Sequence, residues 1–221
     1  MAERRLSQWF APGAWRYALP VFALAVPAIL FSPLGSLGAV LLGVAILLFH
    51  RDPDRTPPAE GILSPADGRV SVVREEPVNS EMDGGEVSGN DAEESRVRVG
   101  VFMNVTDVHV NRAPMGGRVE AVEHEPGKHR PAFSKESDDN EKLHVRFADH
   151  DVTLIAGAFA RRIHPYVEPG DDLRRGERLG HISFGSRADV LLPESVDSAD
   201  VAVARGEKVR AGETVLARYD G

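Results

Sequence analysis

Gly185 and Ser186 stand inside Leu179-Gly-His-Ile-Ser-Phe-Gly-Ser-Arg-Ala-Asp-Val-Leu-Leu-Pro193, between two apolar runs that read as strands. A hydroxyl beside a strained carbonyl can react with its own backbone. If a turn presses the Gly185 carbonyl against the Ser186 hydroxyl, attack exchanges amide for ester, and β-elimination of the ester leaves a dehydroalanine on the downstream fragment. Hydrolysis of that residue gives an N-terminal pyruvoyl group and ammonia. The chain would then carry a carbonyl cofactor of its own making, an electron sink able to form a Schiff base with a substrate amine. The same pair also suits an ordinary turn of a small residue and a hydroxyl, so the two residues by themselves leave both readings open.

Composition narrows the chemistry. With no cysteine there is no disulfide framework, thiol nucleophile or zinc-thiolate site. A formal charge of −8 and the acidic stretch over residues 75–94 argue against nucleic acid as a partner. Nothing in the sequence implies a metal or a bound nucleotide. A serine hydroxyl needs a base to accept its proton, and eight histidines are available for that role.

The elements that must position these groups divide at residue 55. Residues 17–50 contain no acidic residue, lysine or arginine, whereas Arg4, Arg5 and Arg16 precede them and Arg51 and Arg55 follow. Ser32-Pro-Leu-Gly-Ser36 breaks this stretch into two apolar pieces of roughly 15 residues, each about 22 Å long as helix against a hydrocarbon core of about 30 Å. Either a helical hairpin with both ends in the cytoplasm or one broken helix that crosses once would fit. Positive charge at both ends favours the hairpin, with the remainder of the chain on the cytoplasmic face of the cell membrane. Residues 1–55 are thus expected to be a membrane anchor, and residues 56–221 one compact domain.

Beyond the Pro- and Gly-bearing linker at 56–61, short β-branched segments at 68–73, 96–102, 117–122, 143–147 and 152–156 predict a mostly β domain. Residues 77–95 are acidic and poor in large apolar side chains, as expected of an exposed loop. Residues 167–182 are echoed by 203–217, each placing glycine before an acidic residue, then an apolar residue, then glycine and glutamate. That spacing suits strand, tight turn and strand, as in a lipoyl-like or barrel-sandwich hybrid architecture, with residues 185 and 186 in the connection between related halves. Two unrelated hairpins remain the alternative.

The run Phe184-Gly-Ser-Arg-Ala-Asp-Val-Leu-Leu-Pro193 resembles the short class of phosphatidylserine decarboxylases, including archaeal relatives acting on archaetidylserine. The likeness extends through Phe49-His-Arg-Asp-Pro-Asp-Arg55, Ser64-Pro-Ala-Asp-Gly-Arg-Val70, Val108-His-Val-Asn-Arg-Ala-Pro114 and Ile155-Ala-Gly-Ala-Phe-Ala-Arg-Arg-Ile163, in the family's order and over most of the chain. The resemblance implies a proenzyme that cuts itself between Gly185 and Ser186 into a large chain (1–185) and a small chain (186–221). The two would remain docked as a heterodimer, with further oligomerisation left open. It implies a pyruvoyl group derived from Ser186, and conversion of phosphatidylserine or archaetidylserine to the ethanolamine phospholipid plus CO2.

It also implies site residues. His109 falls in the family's histidine motif, and Asp67 matches the acidic position that assists self-cleavage, where it would orient the imidazole and stabilise its charge. One position departs from larger bacterial members, which carry a second histidine three residues after the first; here that residue is Arg112. His144, His164 and His181 are reserve candidates, with His181 ranked low because strand alternation sets it on the opposite face from a residue at an even offset. The substrate's phosphodiester calls for a cation. Arg112 and Arg187 are placed ahead of Arg161 and Arg162, while Phe102 and Phe184 would supply apolar surroundings. Two rival readings are a non-catalytic, membrane-anchored lipoyl-like binding module and a pyruvoyl decarboxylase of a soluble amino acid.

Overall fold

Residues 9–77, 95–127, 140–157, 162–182 and 186–219 are described in the computed structural model of the chain. Gly13, with φ +87°, turns the chain into helix α1 (Ala14–Phe31), which is followed at once by α2 (Pro33–Phe49). The sequence spreads the break over residues 32–36, whereas the structure confines it to Ser32. Pro33 occupies the first helical position, where its missing N–H costs nothing and its fixed φ favours the helix. The Ser32 side chain accepts a hydrogen bond from the Gly35 amide at 3.1 Å. The helices therefore reach 18 and 17 residues, longer than expected.

The two helices lie side by side because small residues let them. A Cβ on Gly43 would strike the Phe22 ring, and Ser36 Oγ donates to the Ala25 carbonyl at 2.7 Å. Their bases are joined where Ala11 N donates to His50 O at 2.7 Å and Asp52 N to Trp9 O at 2.8 Å. Helix α1 is long and apolar enough to cross a membrane.

The rest of the described chain is β: β1 (Ile62–Leu63), β2 (Gly68–Pro77), β3 (Ser95–Phe102), β4 (Val110–Arg112), β5 (Gly117–Arg118), β6 (Ala121–Glu125), β7 (Lys142–Arg146), β8 (Asp151–Ile155), β9 (Ile163–Pro165), β10 (Asp172–Leu173), β11 (Arg178–Ile182), β12 (Arg187–Leu191), β13 (Lys208–Val209) and β14 (Val215–Ala217). Seven strands form one open sheet in the order β13-β2-β3-β12-β8-β7-β6. Three smaller sheets pair β4-β11-β9, β10-β5 and β1-β14. The expected strand over 117–122 divides into β5 and β6 because the chain changes sheets there, Val119 N binding Asp171 O and Glu120 N binding Arg146 O. Of the acidic stretch, residues 78–94 lie outside the described residues.

The repeat at 167–182 and 203–217 folds alike in both copies. Gly170 and Gly176 take φ +99° and +81°, and their counterparts Gly206 and Gly212 take +90° and +70°; only glycine holds such turns without strain. Each copy also pairs with a related partner. Leu63-Ser-Pro-Ala-Asp-Gly-Arg-Val70 matches Arg112-Ala-Pro-Met-Gly-Gly-Arg-Val119 in outline, and the two exchange hydrogen bonds: Leu63 N to Pro114 O at 3.0 Å, Arg112 N to Pro65 O at 2.9 Å. Likewise Gly212 N binds Ser64 O and Gly176 N binds Ala113 O.

One apolar core fills the space between the large sheet and these hairpins, with Val99, Val101, Leu154 and Val190 on one side and Met115, Val119, Leu179 and Leu216 on the other. A second cluster of Ala11, Val108, Val110 and Tyr166 joins the base of the helices to the domain.

Candidate active site

Ser186 immediately precedes β12, the strand held between β3 and β8. Its carbonyl accepts from Met103 N at 2.8 Å, and its side chain is fully buried. The hydroxyl lies 3.9 Å from Met103 Sδ, a weak acceptor and its side-chain partner among the described residues. Asn111 Nδ2 lies 3.6 Å from the same sulfur and 3.4 Å from Pro65 O, and Asn111 Oδ1 is buried with no partner among the described residues. A buried polar atom without a protein partner calls for an explanation, and use in a reaction is one. Gly185, the other half of the expected scissile bond, lies outside the described residues, as do Phe184 and Arg161.

His109 follows a turn closed by Asp107 N on Asn104 O and by Asn104 N on the Asp107 carboxylate. Its Nδ1 stands 3.0 Å from the Asp107 carbonyl. A carbonyl only accepts, so Nδ1 carries the proton and Nε2 keeps its lone pair. Nε2 is buried and has no partner among the described residues. Burial lowers the imidazole to about 4, against the opposing pull of the Asp107 carbonyl. Phe49, the last residue of α2, covers the ring with its centroid 4.3 Å away.

Asp67 takes part in a different contact. Arg55 Nη2 reaches its two oxygens at 2.8 and 3.0 Å, and Ala211 N donates to Oδ1 at 2.8 Å. The contact that fixes the His109 tautomer comes instead from the Asp107 backbone. Asp67 is nevertheless at the same end of the large sheet as Ser186, since Arg69, Phe102 and Arg187 lie in one row across β2, β3 and β12. Gly68 permits this approach, because a Cβ there would collide with the Phe102 carbonyl.

Both arginines expected to meet a phosphodiester are buried and engaged with carboxylates. Arg112 Nη2 binds Asp52 Oδ1 at 2.7 Å and the Pro53 carbonyl at 3.0 Å, while Nη1 donates to Gly176 O. Arg178, directly opposite on β11, binds the other Asp52 oxygen at 2.5 Å. Burial lowers Arg112 from its ordinary value, opposed by Asp52. Arg187 makes a two-pronged pair with Asp189 at 2.8 and 2.9 Å, and Gly100 leaves room for that carboxylate. Arg162 is exposed.

Among the reserve histidines, His144 binds Thr153 Oγ1 and Glu125 on the outer strands. His181 stacks on His164 with centroids 4.5 Å apart, and its Nδ1 meets the Tyr166 hydroxyl at 2.6 Å. Burial lowers His181 to about 3 and raises Tyr166. Alternation along a strand does not relate His181 to Ser186, because β11 and β12 belong to different sheets. Sequence reasoning missed Met103, Phe49, Asp52 and Asn111. Phe49, Asp52 and Asn111 all stand inside runs that carry the family likeness, and Asn111 follows His109 by two residues, whereas Met103 lies in none of those runs.

The chain matches the family model of phosphatidylserine decarboxylase over residues 42–217. A Halobacterium salinarum protein described as an archaetidylserine decarboxylase proenzyme is 57% identical over 208 residues, covering 94% of this chain and 97% of its own. A Thermobifida fusca protein named phosphatidylserine decarboxylase proenzyme is 42% identical, covering 97% and 95%. A Methanopyrus kandleri protein, described like the first, is 41% identical over 94% and 98%. No solved structure matches.

Proposed function

The chain belongs to the phosphatidylserine decarboxylase family, and we propose that it makes its own catalytic carbonyl by cutting between Gly185 and Ser186. The reaction removes CO2 from a serine phospholipid and leaves the ethanolamine phospholipid. The observation that carries the maturation step is a pair of weakly engaged groups: a buried Ser186 hydroxyl whose partner among the described residues is the Met103 thioether, and a buried, neutral His109 Nε2 with no partner among the described residues.

In this reading the hydroxyl leaves Met103 and gives its proton to His109 Nε2 as Oγ bonds to the Gly185 carbonyl carbon. The C–N bond then breaks, and the freed nitrogen takes the proton back from the imidazole. Elimination removes the Cα proton and the Gly185 carboxylate from residue 186, and water converts the remaining enamine to a ketone with loss of ammonia. That pyruvoyl group would supply a carbonyl for the headgroup amine and a sink for the electron pair released with CO2. Met103 and Asn111 line its place, and their dry surroundings favour conversion of a carboxylate to neutral CO2. Asp67, held by Arg55, sets the turn into β2. Arg112 fixes Asp52, and Arg187 with Asp189 fixes the start of β12.

The helix pair is assigned to the membrane, with both ends and the catalytic domain on the cytoplasmic side. Support comes from its broad apolar exposure, greatest at Leu30, Phe31 and Leu34 beside the break. The reciprocal hairpins support a lipoyl-like, barrel-sandwich hybrid domain, and the central place of β12 supports a large and a small chain that stay together. Intact-mass measurement of purified protein beside Ser186→Ala tests the reading. Wild type should contain residues 1–185 and a small chain beginning with a keto group, and the variant one uncut, inactive chain. Active wild type with Ser186 intact would refute it.

A further inference from the structure

The base of the helix pair carries an arginine whose position suits the lipid rather than the fold. Arg51 lies two residues beyond α2, where it bridges to Phe10 at the entry of α1. Trp9 and Tyr17, both about half exposed, surround this level; such aromatics mark the boundary between lipid tails and water. The apolar side chains of both helices extend from there to the break at Ser32. A phospholipid whose tails lie along the helices therefore has its phosphate near the height of Arg51.

The guanidinium is already oriented. Nη1 donates to Leu48 O at 2.8 Å and Nη2 to Thr106 O at 2.6 Å. Thr106 is adjacent to Asp107, whose carbonyl holds His109. The arginine and the candidate base thus bind consecutive carbonyls of one turn, and Phe49, two residues before Arg51, covers the imidazole. Two of the five guanidinium N–H donors are used among the described residues, which leaves three.

The other arginines around the site are committed to carboxylates. Arg55 binds Asp67, Arg112 and Arg178 bind Asp52, Arg187 binds Asp189, and Arg98 binds Glu76. Arg51 pairs with no carboxylate among the described residues, is only partly buried, and adjoins the His109 turn. We propose that Arg51 is the residue that binds the phosphodiester of the lipid substrate, through donors left free by its two backbone contacts. This rests on the reading of Ser186 and His109 as the reacting centre. The headgroup then spans from Arg51, at the membrane surface, to residue 186 inside the domain. A charge-assisted contact at one end orients the serine carboxylate and amine at the other.

The test compares wild type, Arg51→Gln and Arg51→Lys as full-length, matured proteins, with Arg16→Gln as an exposed cation at the first turn of α1. The substrate is a serine phospholipid diluted in phosphatidylcholine vesicles, presented with ester and with ether tails. Arg51→Gln should still cut itself fully on a denaturing gel, while the surface concentration for half-maximal turnover rises at least about tenfold and kcat changes less than about threefold. Arg51→Lys should fall between, because it keeps the charge but not the fork. Glycerophosphoserine, which has the phosphodiester and no tails, should inhibit wild type and Arg16→Gln but not Arg51→Gln.

Sedimentation with phosphatidylglycerol vesicles separates headgroup binding from general attraction to an anionic surface. A defect confined to sedimentation, with unchanged inhibition by glycerophosphoserine, overturns the proposal. So does unchanged half-saturation, or loss of self-cleavage in Arg51→Gln, which would make Arg51 a structural tie. Failure of wild type to cut itself or turn over lipid would instead sink the reading on which the proposal rests.

Discussion

The proposed role of His109 as a base depends on its burial. Held at about 4 rather than 6.5, its Nε2 keeps the lone pair throughout the neutral range. Maturation of freshly synthesised chain should therefore run at a constant rate from about pH 8 to about pH 5 and fall only near pH 4, as a stopped time course on gels would show. Stability has the same sign: between the two values the unfolded chain binds more protons than the folded one. Stability is then complete above about pH 6.5, declines as pH falls towards about 4, and levels below that. His181, lowered to about 3, adds to this slope, and thermal melts across pH would measure it. His109→Gln should slow maturation at least about a hundredfold and remove the acid limb. Much of this site was legible in the residues. Gly185 and Ser186 announced a chemistry, and the family likeness marked His109. The partners of the arginines were not legible for Arg112, whose Asp52 is 60 positions away. For Arg187 the signal existed, since Asp189 is two residues on and so shares its strand face. Asp189→Ala should break the buried two-pronged pair with Arg187 and cost about 3–5 kcal/mol in urea unfolding.

Between elements, the decisive joint is Asp52. It is fully buried just beyond α2, binds Arg112 on β4 and Arg178 on β11, and its amide bonds Trp9 ahead of α1. One residue thus ties the helix pair down, its carboxylate to the domain and its amide to the chain ahead of α1. Removing it leaves two arginines facing each other across a strand pair, so Asp52→Ala should destabilise by about 3–5 kcal/mol and free the helices. Limited proteolysis should show this as rapid cleavage between residues 50 and 61, where wild type resists. If the variant is cut no faster, the joint is carried by the Ala11, Val108 and Val110 cluster instead. The sequence pattern revealed the strands β2, β3, β7 and β8, where apolar residues recur at short intervals, and it revealed both helices. It did not reveal that 117–122 changes sheets, because alternation reports burial and not which sheet a strand joins.

Across the whole molecule, the chain is two interlocked halves. Residues 62–70 pair with 203–217, and residues 111–119 with 167–182, and Pro65 and Pro114 each accept a bond from the other half. The hairpin repeat was visible in its glycines, but the second repeat was hidden in eight residues that share only a proline and Gly-Arg-Val. This arrangement decides what happens after a cut at residue 185. The small fragment would supply β12, paired over five residues to β3 on one side and over five to β8 on the other, together with β13, paired to β2, and β14, paired to β1, so each of its strands is bound to a strand of the large chain. Its Ala188 and Val190 are fully buried in the shared core. The fragments therefore should not separate short of global unfolding. Size-exclusion chromatography in rising urea should show the small fragment leaving at the same midpoint at which the sheet signal is lost. Val190→Asp, which buries a charge between β3 and β8, should lower that midpoint through a loss of several kcal/mol of stability or prevent folding outright. Release of the small fragment in native buffer from a sheet that stays intact would mean that β12 is held by far fewer contacts than its two ladders provide.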